Sequence, residues 1–447
     1  MALASSPTFS ITPSSTKIIQ PTNYIESFDF LTQYLPETED NLVNIYGNQS
    51  VAGMLAYMGQ EEAFASDAYY WTEEGRLHTA YTDVTRTANV FTKANHVFRL
   101  NEIVQVSDAN DIKTGIVTAK DTNTFTLAAY DADWGTLGTT AITAYVVGSE
   151  FPKGSDGMTE SLDSDLTIRS NKPIIQRGFF EVNGSDATQI GWVKVNGGWL
   201  WYAKSQMDEL RRFEDKTELG LITGQKAATG SAAETAGRLG TEGLFAAIED
   251  RGNIFDGLPS SLTDIDNIVK RLNKQGKVSD YIIYGDEDLI LGFDNLLGGL
   301  SAGSAGGVGY GIFKNGEKDS LDLGFKGFKR GGYNMFYNKW KLLDDPTLLG
   351  AVQAAAGKVR GAMLPVGTME VYDGQYNGGG GRGKTTVPFL KVMYRAAGAE
   401  NRKNKTFFEG TVGGVSTNGQ DVMKIHKLTE RMLVTYGANN CLLFKGA

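Results

Sequence analysis

The chain has 447 residues, 41% hydrophobic and 21% charged, which supports two or three folded domains and excludes a disordered chain. Lys and Arg number 43 against 52 Asp and Glu, a formal net charge of −9 that argues against a protein whose task is to coat nucleic acid. No run approaches the roughly 18 uninterrupted apolar residues of a membrane helix, the start MALASSPTFSITPSS lacks the parts of a secretory signal, and a single cysteine, Cys441, excludes an internal disulfide framework.

Residues 1–40 are rich in Ser, Thr and Pro without helical period, so they are expected to form an arm that cannot bury itself. Residues 41–89 open with the periodic NLVNIYGNQSVAGMLAYM and carry Phe64, Tyr69, Tyr70 and Trp71; they are expected as an N-terminal helical segment whose aromatics pack. From 90 to 152 the texture changes to short alternating runs, EIVQVSD, KTGIVTAK, TFTLAAY and AITAYVVG, punctuated by Asn, Asp and Gly. That pattern predicts a small all-β barrel or sandwich inserted as a unit.

Residues 163–202 are expected as a long β-hairpin, with limbs on either side of NGSDATQ, bearing Phe179, Phe180, Trp192, Trp199 and Trp201. An isolated hairpin is marginal in water, so these rings need a partner surface. AKSQMDELRRFEDKTELGLITG, from Ala203, reads as the clearest helix, with Met207, Leu210 and Phe213 spaced by threes and Gly220 or Gly224 as its end. GQKAATGSAAETAGRLGT reads as low-complexity and mobile. LTDIDNIVKRLNKQGK places Leu262, Ile265, Ile268, Val269 and Leu272 on one stripe, followed by the strand DYIIYG and the helix EDLILGFDNLL. The remainder is strands and glycine turns, in keeping with 55 glycines against 10 prolines.

One literal catalytic motif is present. GGGGRGKT, residues 378–385 from Gly378 to Thr385, satisfies the phosphate-loop pattern in which Lys384 would reach terminal phosphates and Thr385 a Mg²⁺ ion. That chemistry needs a helix after the loop, yet Lys384 runs directly into TTVPFLKVMY, with Pro388 in the would-be first turns and β-branched residues around it. The segment is read as a flexible turn between two strands, its basic end directed at a neighbouring subunit or DNA. Asp286, closing YIIYGD, is a Walker-B-like acid that any strand followed by an acidic helix start would supply. His78, His96 and His426 stand alone, without metal-ligand spacing, and a Cys441–His426 pair has no motif behind it. The basic runs KGFKR (326–330) and RKNK (402–405) are candidates for phosphate or an acidic neighbour, with a solvated turn as the plainer reading. No catalytic constellation, cofactor site or metal site emerges.

The phrases NHVFRLNEIVQVSDAN, LTDIDNIVKRLNKQGKVSDYIIYGDE, LGFKGFKRGGYNMFYNKWKLLDDPTLLG and LTERMLVTYGANNCLLF give the chain from about residue 41 onward a texture that resembles the major capsid protein of tailed bacteriophages. The resemblance implies an α+β fold, the Hong Kong 97-like capsid fold with an inserted small all-β domain. In its terms 163–202 is the extended loop, 203–255 the spine helix and peripheral domain, 256–375 the axial domain and 376–447 the return strands of both domains. It implies a virion protein, assembled in the host cytoplasm, that packs with copies of itself as hexamers and pentamers into an icosahedral shell. That shell would enclose double-stranded DNA without sequence-specific binding, with scaffolding, portal and decoration proteins as partners, no membrane and no enzymatic role. Phe179, Phe180, Trp192, Trp199 and Trp201 would then be assembly contacts. The rival readings are another self-assembling shell or tail protein of the encapsulin kind, and a P-loop ATPase.

Overall fold

The computed structural model describes residues 60–162, 166–188, 201–276, 278–302, 327–351, 358–377, 381–412 and 417–446. In chain order, β1 Gln60–Phe64 and β2 Tyr69–Glu74 precede β3 Ala80–Thr87, β4 Val90–Thr92, β5 Glu102–Ser107, β6 Ile112–Lys120, β7 Thr124–Ala129 and β8 Ile142–Ser149. Strands β9 Leu166–Asn171 and β10 Ile174–Asn183 lead into a short helix, α1 Gly184–Ala187, and a long one, α2 Trp201–Thr223. Next come α3 Ala232–Thr235, α4 Leu244–Arg251, β11 Asn253–Asp256, α5 Leu262–Asn273, β12 Asp280–Gly285 and α6 Glu287–Ala302. After β13 Gly327–Arg330, β14 Tyr333–Lys339 and α7 Lys341–Asp344, the chain is strand: β15 Lys358–Pro365, β16 Thr368–Asn377, β17 Gly381–Pro388, β18 Leu390–Ala397, β19 Glu400–Asn401, β20 Lys405–Gly410, β21 Val422–Thr435 and β22 Leu442–Gly446.

These elements fall into two compact units. The larger takes its described residues from Val51–Gln176, Thr217–Lys405 and Leu428–Ala447, the smaller from Arg177–Lys216 and Thr406–Lys427. Strand β10, helix α2 and strand β21 each contribute residues to both.

Within the larger unit, β3, β4, β7, β6, β5 and β8 close into a barrel. Strand β5 alternates strictly, with Glu102, Val104 and Val106 pointing inward. Six strands leave room only for side chains, here Val84, Phe91, Phe98, Val117, Phe125, Leu127 and Trp134 among others. Buried Glu102 is held by Arg99 at 2.7 Å and by the Arg99 backbone N–H at 2.8 Å. The barrel begins at Ala80, not at 90. Its first strand was hidden because AYTDVTRT alternates small, polar and charged residues with few large apolar ones.

A mixed sheet ordered β11-β22-β15-β12-β14-β13 forms the main core. Its period of two divides the side chains between two apolar layers. Tyr284, Ala362, Leu364 and Leu443 join Leu221, Ile222, Leu244, Ile248 and Trp340 in one. Tyr281, Ile283, Met363, Leu442 and Phe444 join Ile265, Ile268, Leu272 and Phe293 in the other, so both faces are covered. Helix α5 is started by a capping box between Ser261 and Asp264, as SLTD predicts.

A second sheet in this unit runs β1-β18-β21, β1 parallel to β18 and β18 antiparallel to β21. Asn171, fully buried at the end of β9, donates to Leu433 O at 2.6 Å and to Glu242 O at 3.1 Å and accepts from Glu242 N–H at 2.8 Å. One amide thereby satisfies backbone from two other segments.

Several expectations are corrected. The part of the anticipated N-terminal helical segment from residue 60 onward holds three strands, 60–64, 69–74 and 80–87, because YYWTEE and the stretch after it carry a period of two; the helical pattern itself lies in residues 41–58, outside the described residues. Pro173 splits the first limb of the hairpin expected over 163–202, so that β9 pairs with β2 and β10 pairs with β21; residues 189–200 of the second limb lie outside the described residues. Trp201 and Tyr202 are helical rather than extended, since the strong helix formers that follow extend the helix back over them. The stretch GQKAATGSAAETAGRLGT contains α3, where Ser231 caps Glu234 N–H at 3.2 Å, the SAAE capping pattern at work.

Candidate assembly surface

In the smaller unit, β21 pairs with β10 and with β20. Helix α2 packs on this sheet because Gly178 lets it: a Cβ at 178 would lie 2.9 Å from the Phe213 ring. The result is a cavity of about 260 Å³ lined by Phe179, Phe180, Met207, Leu210, Phe213 and Ile425. Met207, Leu210 and Phe213 are the stripe legible in the sequence, with Phe213 buried and the other two half-buried. Glu209 and Lys427 stand at the rim, and Arg212 pairs with Glu209 at 3.3 Å.

Of the five aromatic residues expected to make contacts, the structure brings Phe179 and Phe180 together on β10. Consecutive strand residues face opposite ways, and Phe179 is 50% exposed while Phe180 is half-buried. Trp192 and Trp199 lie outside the described residues, as does the side chain of Trp201. A second Phe-Phe pair, Phe407 and Phe408 on β20, was not singled out from the sequence; both are exposed, Phe408 by 58%. His426 on β21 stacks on Phe407 with ring centroids 4.7 Å apart and lies 5.1 Å from Phe179. The repeated FF dipeptide was the signal that could have revealed this patch.

The nucleotide-loop match takes a different form from the one its chemistry needs. β16 and β17 are an antiparallel pair in which Tyr372 stands opposite Lys384 and Asn377 opposite Gly381, and Pro388 ends the strand. Lys384 and Thr385 are therefore strand residues, with no helix N-terminus after them to receive phosphates. Asp286 is spent elsewhere. It caps α6 by accepting Leu289 N–H at 3.0 Å, and its other oxygen takes Arg360 at 3.0 Å with Lys358 at 3.6 Å.

Of the two basic runs, Arg330, Arg402, Lys403 and Lys405 are paired within the chain. Arg402 and Arg395 converge on buried Glu430, at 2.7 and 3.1 Å, and Arg395 also reaches Asp67 at 2.6 Å. Lys403 pairs with Glu61 and lies over the Tyr394 ring; Lys405 holds Glu400 at 2.6 Å. In the other run Arg330 holds Asp266 with both ends of its guanidinium, Nε to Oδ1 at 2.5 Å and Nη2 to Oδ2 at 2.8 Å. Their acidic neighbours are intramolecular.

Cys441 is buried in the core, and desolvation pushes its thiol up to about 12, which leaves an inert small hydrophobe. His96 packs against Phe98 and Phe125 in the barrel, its Nε2 3.0 Å from Thr124 O. Among the described residues no group of three His, Cys, Asp or Glu side chains is placed to hold a metal ion, and no helix is long and apolar enough to cross a membrane.

No family model matches the sequence, and no curated protein matches it significantly. Among solved structures, the chain is similar to one from Microbacterium phage Oxtober96 at 10% identity, covering 95% of this chain and 100% of that one with a TM-score of 0.42. It is also similar to a chain of the bacteriophage PhiM1 mature capsid, at 8% identity over 96% and 97% with a TM-score of 0.43. A third likeness is to the holo-SrpI encapsulin of Synechococcus elongatus PCC 7942, at 10% identity over 63% and 77% with a TM-score of 0.34.

Proposed function

We propose that this chain is the major capsid protein of a tailed bacteriophage, a non-enzymatic subunit of the virion that self-assembles as hexamers and pentamers into an icosahedral shell around double-stranded DNA. The supporting observation is the make-up of the smaller unit. The residues it draws together, 177–216 and 406–427, come from the stretches that the sequence resemblance assigns to the extended loop, the spine helix and the return strands. That unit leaves Phe179, Phe407 and Phe408 exposed, which a lone monomer gains nothing by doing and a repeating assembly can bury.

The electrostatics fit a container. A chain of net charge −9 in which Arg330, Arg402, Lys403 and Lys405 are paired to its own acids offers little to phosphate, so DNA is enclosed rather than gripped. Scaffolding, portal and decoration proteins are the partners this role calls for, and the barrel is the module that would stand as the inserted domain.

Negative-stain microscopy of the purified full chain tests the proposal. Closed icosahedral particles built of hexamers and pentamers are expected. Small compartments of the encapsulin kind, or tubes, would each overturn it.

A further inference from the structure

We propose that β1 is a strap latched by charge: three carboxylates of residues 61–67 fasten it to a seat of four cations on β18, β21 and the turn between β19 and β20, and salt releases it while the sheet behind stays folded. Strand β1 runs parallel to β18 at the end of its sheet, Gln60 opposite Lys391 and Phe64 opposite Arg395. Its first four residues are exposed, and Phe64 alone packs, against the cluster of Trp71, Met393, Met432 and Val434. Apolar contact therefore supplies little of its hold.

Charge supplies the rest. Glu62 pairs with Lys391, Glu61 with Lys403 and, at 3.5 Å, with Arg431, and Asp67, in the bend after the strand, with Arg395 at 2.6 Å. No basic residue occurs from Gln60 to Glu74, so every charge on the strap has the same sign. The seat is built without it. Arg431 donates to Lys403 O at 3.0 Å and to Thr429 Oγ1 at 3.0 Å, and Arg395 is held by Glu430 at 3.1 Å. Lys391 is 7% exposed, and its ammonium has Glu62 as its carboxylate. An exposed ion pair contributes little alone and a pair on a buried ammonium more, but four on one short segment add along a single opening motion. Salt screens such pairs, whereas the β18–β21 contact behind them, built on Leu390, Val392, Met393, Leu433 and Val434, is apolar. Opening the strap bares the outer edge of β18 with its backbone N–H and C=O groups. The latch belongs to one subunit and is the same whatever that subunit builds.

Hydrogen exchange read by mass spectrometry on the unassembled full-length chain tests this at about 0.01 M and about 1 M NaCl, where the Debye length is about 30 Å and about 3 Å. Protection of peptides covering 60–68 should fall about five- to twentyfold at the higher salt, while peptides over 428–435 and barrel peptides over 112–129 stay level. Glu61→Gln combined with Glu62→Gln should show, at low salt, the weak protection that the unaltered chain shows at high salt, and little further change as salt rises. Asp67→Asn, at the exposed end of the latch, should remove part of the response. Equal protection of 60–68 at both salt concentrations in the unaltered chain, a fall shared by 428–435, or an undiminished response in the double variant overturns the proposal.

Discussion

Gly178 and Phe213 meet so closely that no other residue fits at 178: an added Cβ would stand 2.9 Å from the ring. Overpacking of this kind costs about 1–3 kcal/mol. Gly178→Ala is expected to loosen helix α2 from the sheet, seen as faster hydrogen exchange in residues 206–216. Adding Phe213→Leu, which withdraws the ring, should recover part of the loss; an alanine variant as protected as the original would contradict the packing.

Glu430 is 3% exposed and receives Arg395 and Arg402. Removing its charge leaves two guanidinium groups facing each other, and breaking a buried pair costs about 3–5 kcal/mol. Both arginines are about one-third exposed, so a lower figure of about 2 kcal/mol is expected for Glu430→Gln. Chemical denaturation of the disassembled subunit measures it, and a loss below about 0.5 kcal/mol would mean that the network contributes nothing.

How much of this was legible in the sequence depended on where the period was clean. The stripe of Leu262, Ile265, Ile268, Val269 and Leu272 emerged as read, and of the two ends offered for the long helix, Gly220 and Gly224, the chain uses the second, because one face of each helix is buried and the cap chemistry is local. The barrel strands from β5 to β8 were equally plain. Strands β1 to β3 were not, since their inward positions are few and their outward ones charged. The Phe179 patch was half visible. Its partners Phe407 and His426 come from a stretch far along the chain, and no local pattern announces a contact between strands that are distant in sequence.

With Lys384 in a strand and Asp286 paired to Arg360 and Lys358, the chain should not bind nucleotide. Equilibrium dialysis with ATP and Mg²⁺ is expected to show no retention, and Lys384→Ala should behave identically. Saturable binding lost in that variant would restore the ATPase reading.

Asp108, at one end of the barrel, accepts the backbone N–H groups of Asp111, Gly138 and Asn110, which lower its carboxyl from 3.8 to about 2. A carboxyl depressed in the folded state stabilises above its ordinary range and loses that contribution as the pH falls through the folded value. The turn joining these residues should therefore open between about pH 4 and pH 2. Asp108→Asn, which cannot gain a proton there, should flatten the dependence in exchange measurements on 107–112 and 136–142; an unchanged acid profile would remove Asp108 as the cause.

Phe180→Ala combined with Trp192→Ala should reduce the yield of closed particles at least several-fold. The buried apolar area lost is worth about 25 cal/mol per Å² at each contact, and a shell repeats each contact many times. Particles formed at ordinary yield would show that these rings serve their own subunit alone.

Because the smaller unit is assembled from residues 177–216 and 406–427, its order of construction during synthesis is constrained. Strand β10 and helix α2 leave the ribosome long before β20 and β21 exist to cover them, and a wide loop must close before their apolar stripe has a partner. The larger unit meets the same delay, for β21 and β22 are among its last strands to be made. A subunit of this design stays incomplete until its C-terminal strands emerge, so truncated or stalled chains lack a finished surface and are poorly equipped to poison an assembly of complete ones.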